Sequence, residues 1–210
     1  MAPQPIALTV YFDFLCPFVN RLSLWFDQVE KQRGGLTVTW KYFSLEQINA
    51  PDEDWCLWEQ PEDYTSLIGG SPEYRGLFAF WGAEAARQQS AAAFEQFRRT
   101  LLHARHSEEL DFGLRVNVRS IAAQVGLDMT RFDADFTDRR LLDAIRCDFE
   151  EARNQYKVFG VPTICDDADN AMYLKLTQVP PANDAVPFFD EFHRSFTNRS
   201  WLAEIKRPGP

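Results

Sequence analysis

Phe12-Asp13-Phe14-Leu15-Cys16-Pro17-Phe18-Val19 joins two stretches of opposite periodicity. The run before it, Ile6-Ala7-Leu8-Thr9-Val10-Tyr11-Phe12, is continuously apolar, as a buried strand is. The run after it places Phe18, Leu22, Trp25, Phe26 and Val29 at helical spacing to about Gln32, and Gly34-Gly35 ends it. Cys16 stands in the crook, at or beside the helix N-cap. Pro17 suits a first helical turn that needs no backbone N–H. Free N–H groups and the positive dipole end of a helix stabilise a thiolate, so Cys16 is expected to have a lowered pKa and to act as a nucleophile. The spacing is that of a C-x-x-C redox turn, with Val19 in the second cysteine position. The chain has an attacking thiol and lacks the usual resolving one.

Leu36-Thr37-Val38-Thr39-Trp40-Lys41-Tyr42-Phe43 alternates and is β-branched, which predicts a second strand. Strand, helix and strand within about forty residues make a βαβ unit, with a parallel pair and a right-handed crossover. Residues 51–72 carry Pro51, Pro61, Gly69, Gly70 and Pro72 and read as a long loop. From Tyr74 to Tyr156 the pattern is helical. Its stripes are Phe94, Phe97, Leu101 and Ala104; then Val118, Ile121, Ala122 and Val125, closed by Gly126; then Phe132 and Phe136 behind a capping Asp128; then Leu141, Leu142, Ile145, Phe149, Ala152 and Tyr156. Thr163-Ile164-Cys165 and Met172-Tyr173-Leu174-Lys175-Leu176 flank a turn-rich separator and predict a β-hairpin. A final helix, about Asp184 to Arg194, should turn Val186, Phe189 and Phe192 inward. The fold class is α/β.

A net charge of -9 argues against nucleic acid as a partner, because phosphate recognition needs a basic face. No apolar run nears the roughly 20 residues of a membrane span. Met1-Ala2-Pro3-Gln4-Pro5 lacks the basic flank and apolar core of an export signal. Cys16, Cys56, Cys147 and Cys165 have no metal-finger spacing and are expected as reduced thiols of a cytoplasmic protein. The last three are expected as buried small hydrophobes. Cys56 is the one plausible alternative partner for Cys16.

The order βαβ, helical block, ββα, together with Asp13-x-x-Cys16-Pro17-Phe18 and Phe159-Gly160-Val161-Pro162-Thr163, resembles the DsbA-like branch of the thioredoxin superfamily. The resemblance covers nearly the whole chain. It implies a thioredoxin-like domain of residues 1–45 and 158–210, with a helical insertion of residues 46–157. The cytosolic members most similar are low-molecular-weight-thiol-dependent reductases of actinobacteria; kappa-class glutathione transferases and 2-hydroxychromene-2-carboxylate isomerases share the architecture. The resemblance implies a cis Val161–Pro162 bond beside Cys16, whose exposed backbone groups pair with a peptide or a cysteinyl thiol. On it, Cys16 is the catalytic residue, and Asp13, Pro17, Phe18, Asn20, Val161 and Pro162 are the substrate- or thiol-binding set. No cofactor is held tightly. A small thiol (glutathione, mycothiol or bacillithiol) is the expected co-substrate, beside a small-molecule or disulfide substrate. No nucleic acid, membrane or metal partner is expected.

Val19 cannot resolve a mixed disulfide, so three functions stand beside one another. One is a thiol-dependent oxidoreductase using Cys16 alone. Another is a transferase or isomerase in which Cys16 positions a bound thiol. The third is a non-catalytic binding module. Among the remaining candidates, Asp13 either relays a proton near the thiol or caps the Leu15–Cys16 turn. Arg21 either holds a carboxylate or lies solvated on its helix. Lys41 and Ser44 either approach the cleft or face solvent. His103 and His106, three apart on a helix, lack a third metal ligand. Trp55, Trp58 and Trp81 suit either an aromatic lid or the core. Asp52-Glu53-Asp54 and Asp166-Asp167 are expected as solvated turns.

Overall fold

A computed structural model describes residues 4–52 and 54–206. Met1, Ala2 and Pro3 of the leader reading, Glu53 of the first acidic turn and residues 207–210 of the terminal segment lie outside the described residues.

The apolar first run forms β1 (Ile6–Phe12), and β2 (Leu36–Tyr42) pairs with it in parallel from Ile6↔Leu36 to Phe12↔Tyr42. The helix between them, α1 (Pro17–Arg33), buries Val19, Leu22, Trp25, Phe26 and Val29. Gly34 ends it in a left-handed conformation, φ 71°, that its missing Cβ permits. After the helical block the chain returns as β3 (Thr163–Cys165), antiparallel to Thr9–Tyr11 of β1, and β4 (Ala171–Tyr173) pairs antiparallel with β3. The order β2-β1-β3-β4 puts β1 and β3 at the centre of the sheet. The last helix, α8 (Ala185–Asn198), packs on α1. Trp25 stacks on Phe188 at 4.8 Å, and its indole N–H donates to the Ala185 carbonyl at 2.9 Å.

A short α2 (Leu45–Ile48) follows β2, capped by the Ser44 hydroxyl. The helical block is α3 (Leu77–Gln89), α4 (Ala91–Ser107), α5 (Arg115–Gln124), α6 (Met129–Asp135) and α7 (Asp143–Asn154). Every residue of α3 from Leu77 to Ala86 is buried, so it runs through the middle of the block with α4, α5 and α6 around it. Asp128 caps α6 by accepting from Thr130 N and Arg131 N. One buried cation ties the block to the sheet. The Arg98 guanidinium lies 3.7 Å from the Trp40 ring centroid, donates to Ser23 Oγ at 3.1 Å and pairs with Glu95 at 2.6 Å.

Four sequence expectations are corrected. The strand expected over 172–176 keeps only Ala171–Tyr173 in the ladder, because Leu174 N donates instead to the Pro162 carbonyl at 3.1 Å. The inward face of α8 is Ala185, Phe189, Phe192 and Phe196, and Val186 is only half-buried. Cys147 is exposed on α7, and Cys56 is partly exposed. Trp81 is core, with its indole N–H donating to Asp135 O at 3.1 Å, so it lines no lid.

Candidate active site

Cys16 is the N-cap of α1, with extended backbone (φ -86°, ψ 114°) and Pro17 in the first turn. Two contacts fix the turn before it. Asp13 O accepts from Cys16 N at 3.2 Å, and the Asp13 carboxylate accepts from Leu15 N at 2.8 Å. Its second oxygen accepts from Leu45 N at 2.6 Å, which bolts the turn to the start of α2. Asp13 is fully buried with both oxygens engaged, so it braces the turn from within and offers nothing to a ligand. Burial pushes its carboxyl up to about 7 despite the two N–H donors.

The Val161–Pro162 bond is cis. Cys16 Sγ donates to the Val161 carbonyl at 3.2 Å, a contact between residues 145 positions apart. Cys16 is 4% exposed, and this burial raises its pKa. Backbone N–H groups of Val19 and Phe18 lower it, Asp13 raises it, and Lys175 lowers it. Burial outweighs the helix end, and the thiolate expected from the N-cap position is corrected to a neutral thiol at rest. Val19 is fully buried against the core. All four cysteines are free, so Cys16 has no partner in the described structure.

The rim of the site is partly what the sequence suggested. Pro17 is exposed, and Phe18 and Asn20 are half-buried on α1. The Phe18 ring has the Arg21 guanidinium 5.2 Å from its centroid and the Lys175 ammonium at 4.4 Å. Arg21 donates to the Leu176 carbonyl at 3.1 Å, so it clips the chain after β4 to α1 rather than standing free. Burial raises the Tyr173 phenol pKa, with Cys16 near enough to add to it, and Tyr173 packs on the exposed Phe159 ring at 5.2 Å. Lys41 pairs with Glu151 at 2.6 Å and Ser44 caps α2, so neither belongs to the site.

Sequence reasoning missed His106, Tyr173 and Lys175. His106 Nε2 donates to the Phe14 carbonyl at 2.9 Å, bracing the Cys16 turn from α4. Burial, Arg105 and Arg21 hold its pKa down and keep the ring neutral. His103 approaches Glu108 at 3.4 Å, and the described residues contain no cluster that could hold a metal. Lys175 sat in the sequence as an ordinary polar member of a strand. Only the departure of the chain from the ladder at Leu174 carries it to the mouth of the site.

A family profile for the DSBA-like thioredoxin domain matches residues 75–184, from just before α3 through the cis-proline segment and the hairpin. Cys16 lies before the matched stretch. The chain is 27% identical over 200 residues to Uncharacterized protein Rv2286c of Mycobacterium tuberculosis, covering 94% of this chain and 80% of the relative. Among solved structures, a 2-hydroxychromene-2-carboxylate isomerase superposes with TM-score 0.61 at 15% identity, over 95% of this chain and all of the other (100%). The cytosolic disulfide reductase DsbM from Pseudomonas aeruginosa with GSH superposes with TM-score 0.58 at 18% identity, over 90% of this chain and 100% of that one. These two likenesses are of fold. With over half of the chain matched by the profile and the thioredoxin-like sheet continuing through the rest, this chain belongs to the DSBA-like thioredoxin domain family.

Proposed function

We propose that the chain is a thiol-dependent oxidoreductase that works through Cys16 alone. The observation that carries this reading is the placing of Cys16 Sγ 3.2 Å from the Val161 carbonyl, beside cis Pro162 and with no second cysteine paired to it. Cys16 gives up its proton and the thiolate attacks one sulfur of a disulfide RS–SR, forming Cys16–S–SR, while the other half leaves as a thiolate and takes up a proton as RSH. A second small thiol then attacks the mixed disulfide. That thiol, R′SH, departs as R′S–SR and returns its proton to Cys16; a further R′SH exchanges with R′S–SR in solution to release RSH and R′S–SR′, so two thiols are oxidised for each disulfide reduced. The Val161 backbone and Pro162 position the partner, with Phe18 and Asn20 on the α1 side. Glutathione, mycothiol and bacillithiol are the candidate small thiols. The free cysteines suit the reducing cytoplasm. The described helices include none long and apolar enough to cross a membrane.

A second reading has its own support. Burial that keeps Cys16 protonated lets its S–H, turned from the Val161 carbonyl to the ligand, donate a hydrogen bond that would hold the thiolate of a bound small thiol for transfer or isomerisation without redox turnover. Intact-protein mass spectrometry after incubation with the disulfides of the three small thiols separates the two. One adduct on Cys16, absent from Cys16→Ser and removed by free thiol, is the expected result. Tight binding of free thiol with no adduct overturns the redox reading in favour of the second.

A further inference from the structure

We infer that Lys175 is the specificity group of the thiol site: the molecule that exchanges at Cys16 carries a carboxylate, which docks on the Lys175 ammonium. The inference rests on Cys16 being the reactive group and adds the chemical class of what reaches it.

Lys175 is held in place at both ends of its short segment. Leu174 N donates to the Pro162 carbonyl at 3.1 Å on one side, and the Leu176 carbonyl accepts from Arg21 at 3.1 Å on the other. The Lys175 ammonium therefore sits over Phe18, 4.4 Å from the ring centroid, and Phe18 lies in the first turn after Cys16. The ring takes one side of the ammonium, and the side chain is otherwise exposed. It is close enough to Cys16 to act on the thiol against burial.

The charges around it are already committed. Asp13 is sealed inside with both oxygens occupied, Arg21 is engaged with Leu176, and His106 is neutral against Phe14 O. Among the described residues no carboxylate lies within ion-pair distance of Lys175, so its charge is free to meet a ligand. The chain carries a net charge of -9, so an anion is repelled by most of the surface. An unpaired ammonium fixed beside the Cys16 thiol reverses that locally. Glutathione and bacillithiol carry carboxylates and mycothiol carries none, so the inference divides the candidate thiols.

Two alkylating reagents of nearly the same size test it: anionic iodoacetate and neutral iodoacetamide. Both need the thiolate, so any change in Cys16 ionisation cancels in the ratio of their rates at Cys16, read by peptide mass spectrometry. Lys175→Gln should lower the iodoacetate-to-iodoacetamide ratio about three- to tenfold, as removing one nearby charge in a solvent-facing cleft does. Lys175→Arg should keep the ratio, and about 0.5 M salt should erase the wild-type advantage. A ratio that Lys175→Gln leaves unchanged overturns the inference while the Cys16 reading stands. If neither reagent modifies Cys16, both fall together.

Discussion

At Cys16 two effects oppose each other. The N–H groups at the start of α1 favour the thiolate, and loss of water favours the thiol. Burial wins, so Cys16 should behave as a slow, high-pKa thiol in the resting protein. Its rate of alkylation should still be rising at pH 9, when an exposed thiol approaches its plateau; a plateau below pH 8 would show an activated thiolate. Asp13 has a related consequence. The folded state holds a proton on Asp13 up to about pH 7, whereas the unfolded chain releases it near pH 4. The folded state binds more protons across that window, so this group's contribution to stability falls as pH rises through it. Asp13→Asn should lose about 1–3 kcal/mol at pH 5, because the amide cannot accept from both Leu15 N and Leu45 N. The gap to wild type should narrow towards pH 8. Urea midpoints at the two pH values measure it, and a gap that stays constant or widens would contradict the account.

At the scale of elements, most boundaries follow from local chemistry. Ser90 and Asp128 cap α4 and α6, Pro17 opens α1 and Gly34 closes it, each for a reason that acts within a few residues. Gly82 is different. A glycine in a helix interior costs about 1 kcal/mol relative to alanine, which makes it look like a flaw in α3. A Cβ at that position would lie 2.5 Å from Val118 Cγ1 and 3.1 Å from Phe97 Cζ, so the missing atom is what lets α5 approach α3. Gly82→Ala should therefore destabilise by about 1–3 kcal/mol in spite of the better helix former. An increase in the thermal midpoint would mean that the neighbours move aside and propensity decides. The hairpin also exceeds local reading. Its second strand is short because the Leu174 N–H goes to Pro162 O, a partner that periodicity cannot reveal.

At the scale of the whole molecule, Arg98 bears on whether the helical block and the sheet unfold together. Its charge is buried among Glu95, Ser23 and Trp40, which belong to α4, α1 and β2. Arg98→Ala leaves a cavity beside Trp40 and removes one of the two arginines on Glu95, which keeps Arg99, at a cost of about 2–5 kcal/mol. Arg98→Met should recover part of that loss by filling the space. Near-UV and far-UV dichroism should report one coincident urea transition in wild type and both variants. Separate transitions would show the block and the sheet to be independent units.

The strand–turn–helix unit, the position of Cys16 at the helix start, the absence of a second cysteine at Val19, the helical middle and the returning hairpin were all legible in the sequence. Each depends on periodicity, capping or turn residues within a few positions. Tertiary structure alone decided the ionisation of Cys16, since burial comes from β1, α1 and the cis-proline segment closing over it. It likewise turned Asp13 inward, brought His106 from α4 to the Phe14 carbonyl and carried Lys175 to Phe18. Desolvation and charge proximity are sums over neighbours in space, and those neighbours are up to 145 positions away along the chain.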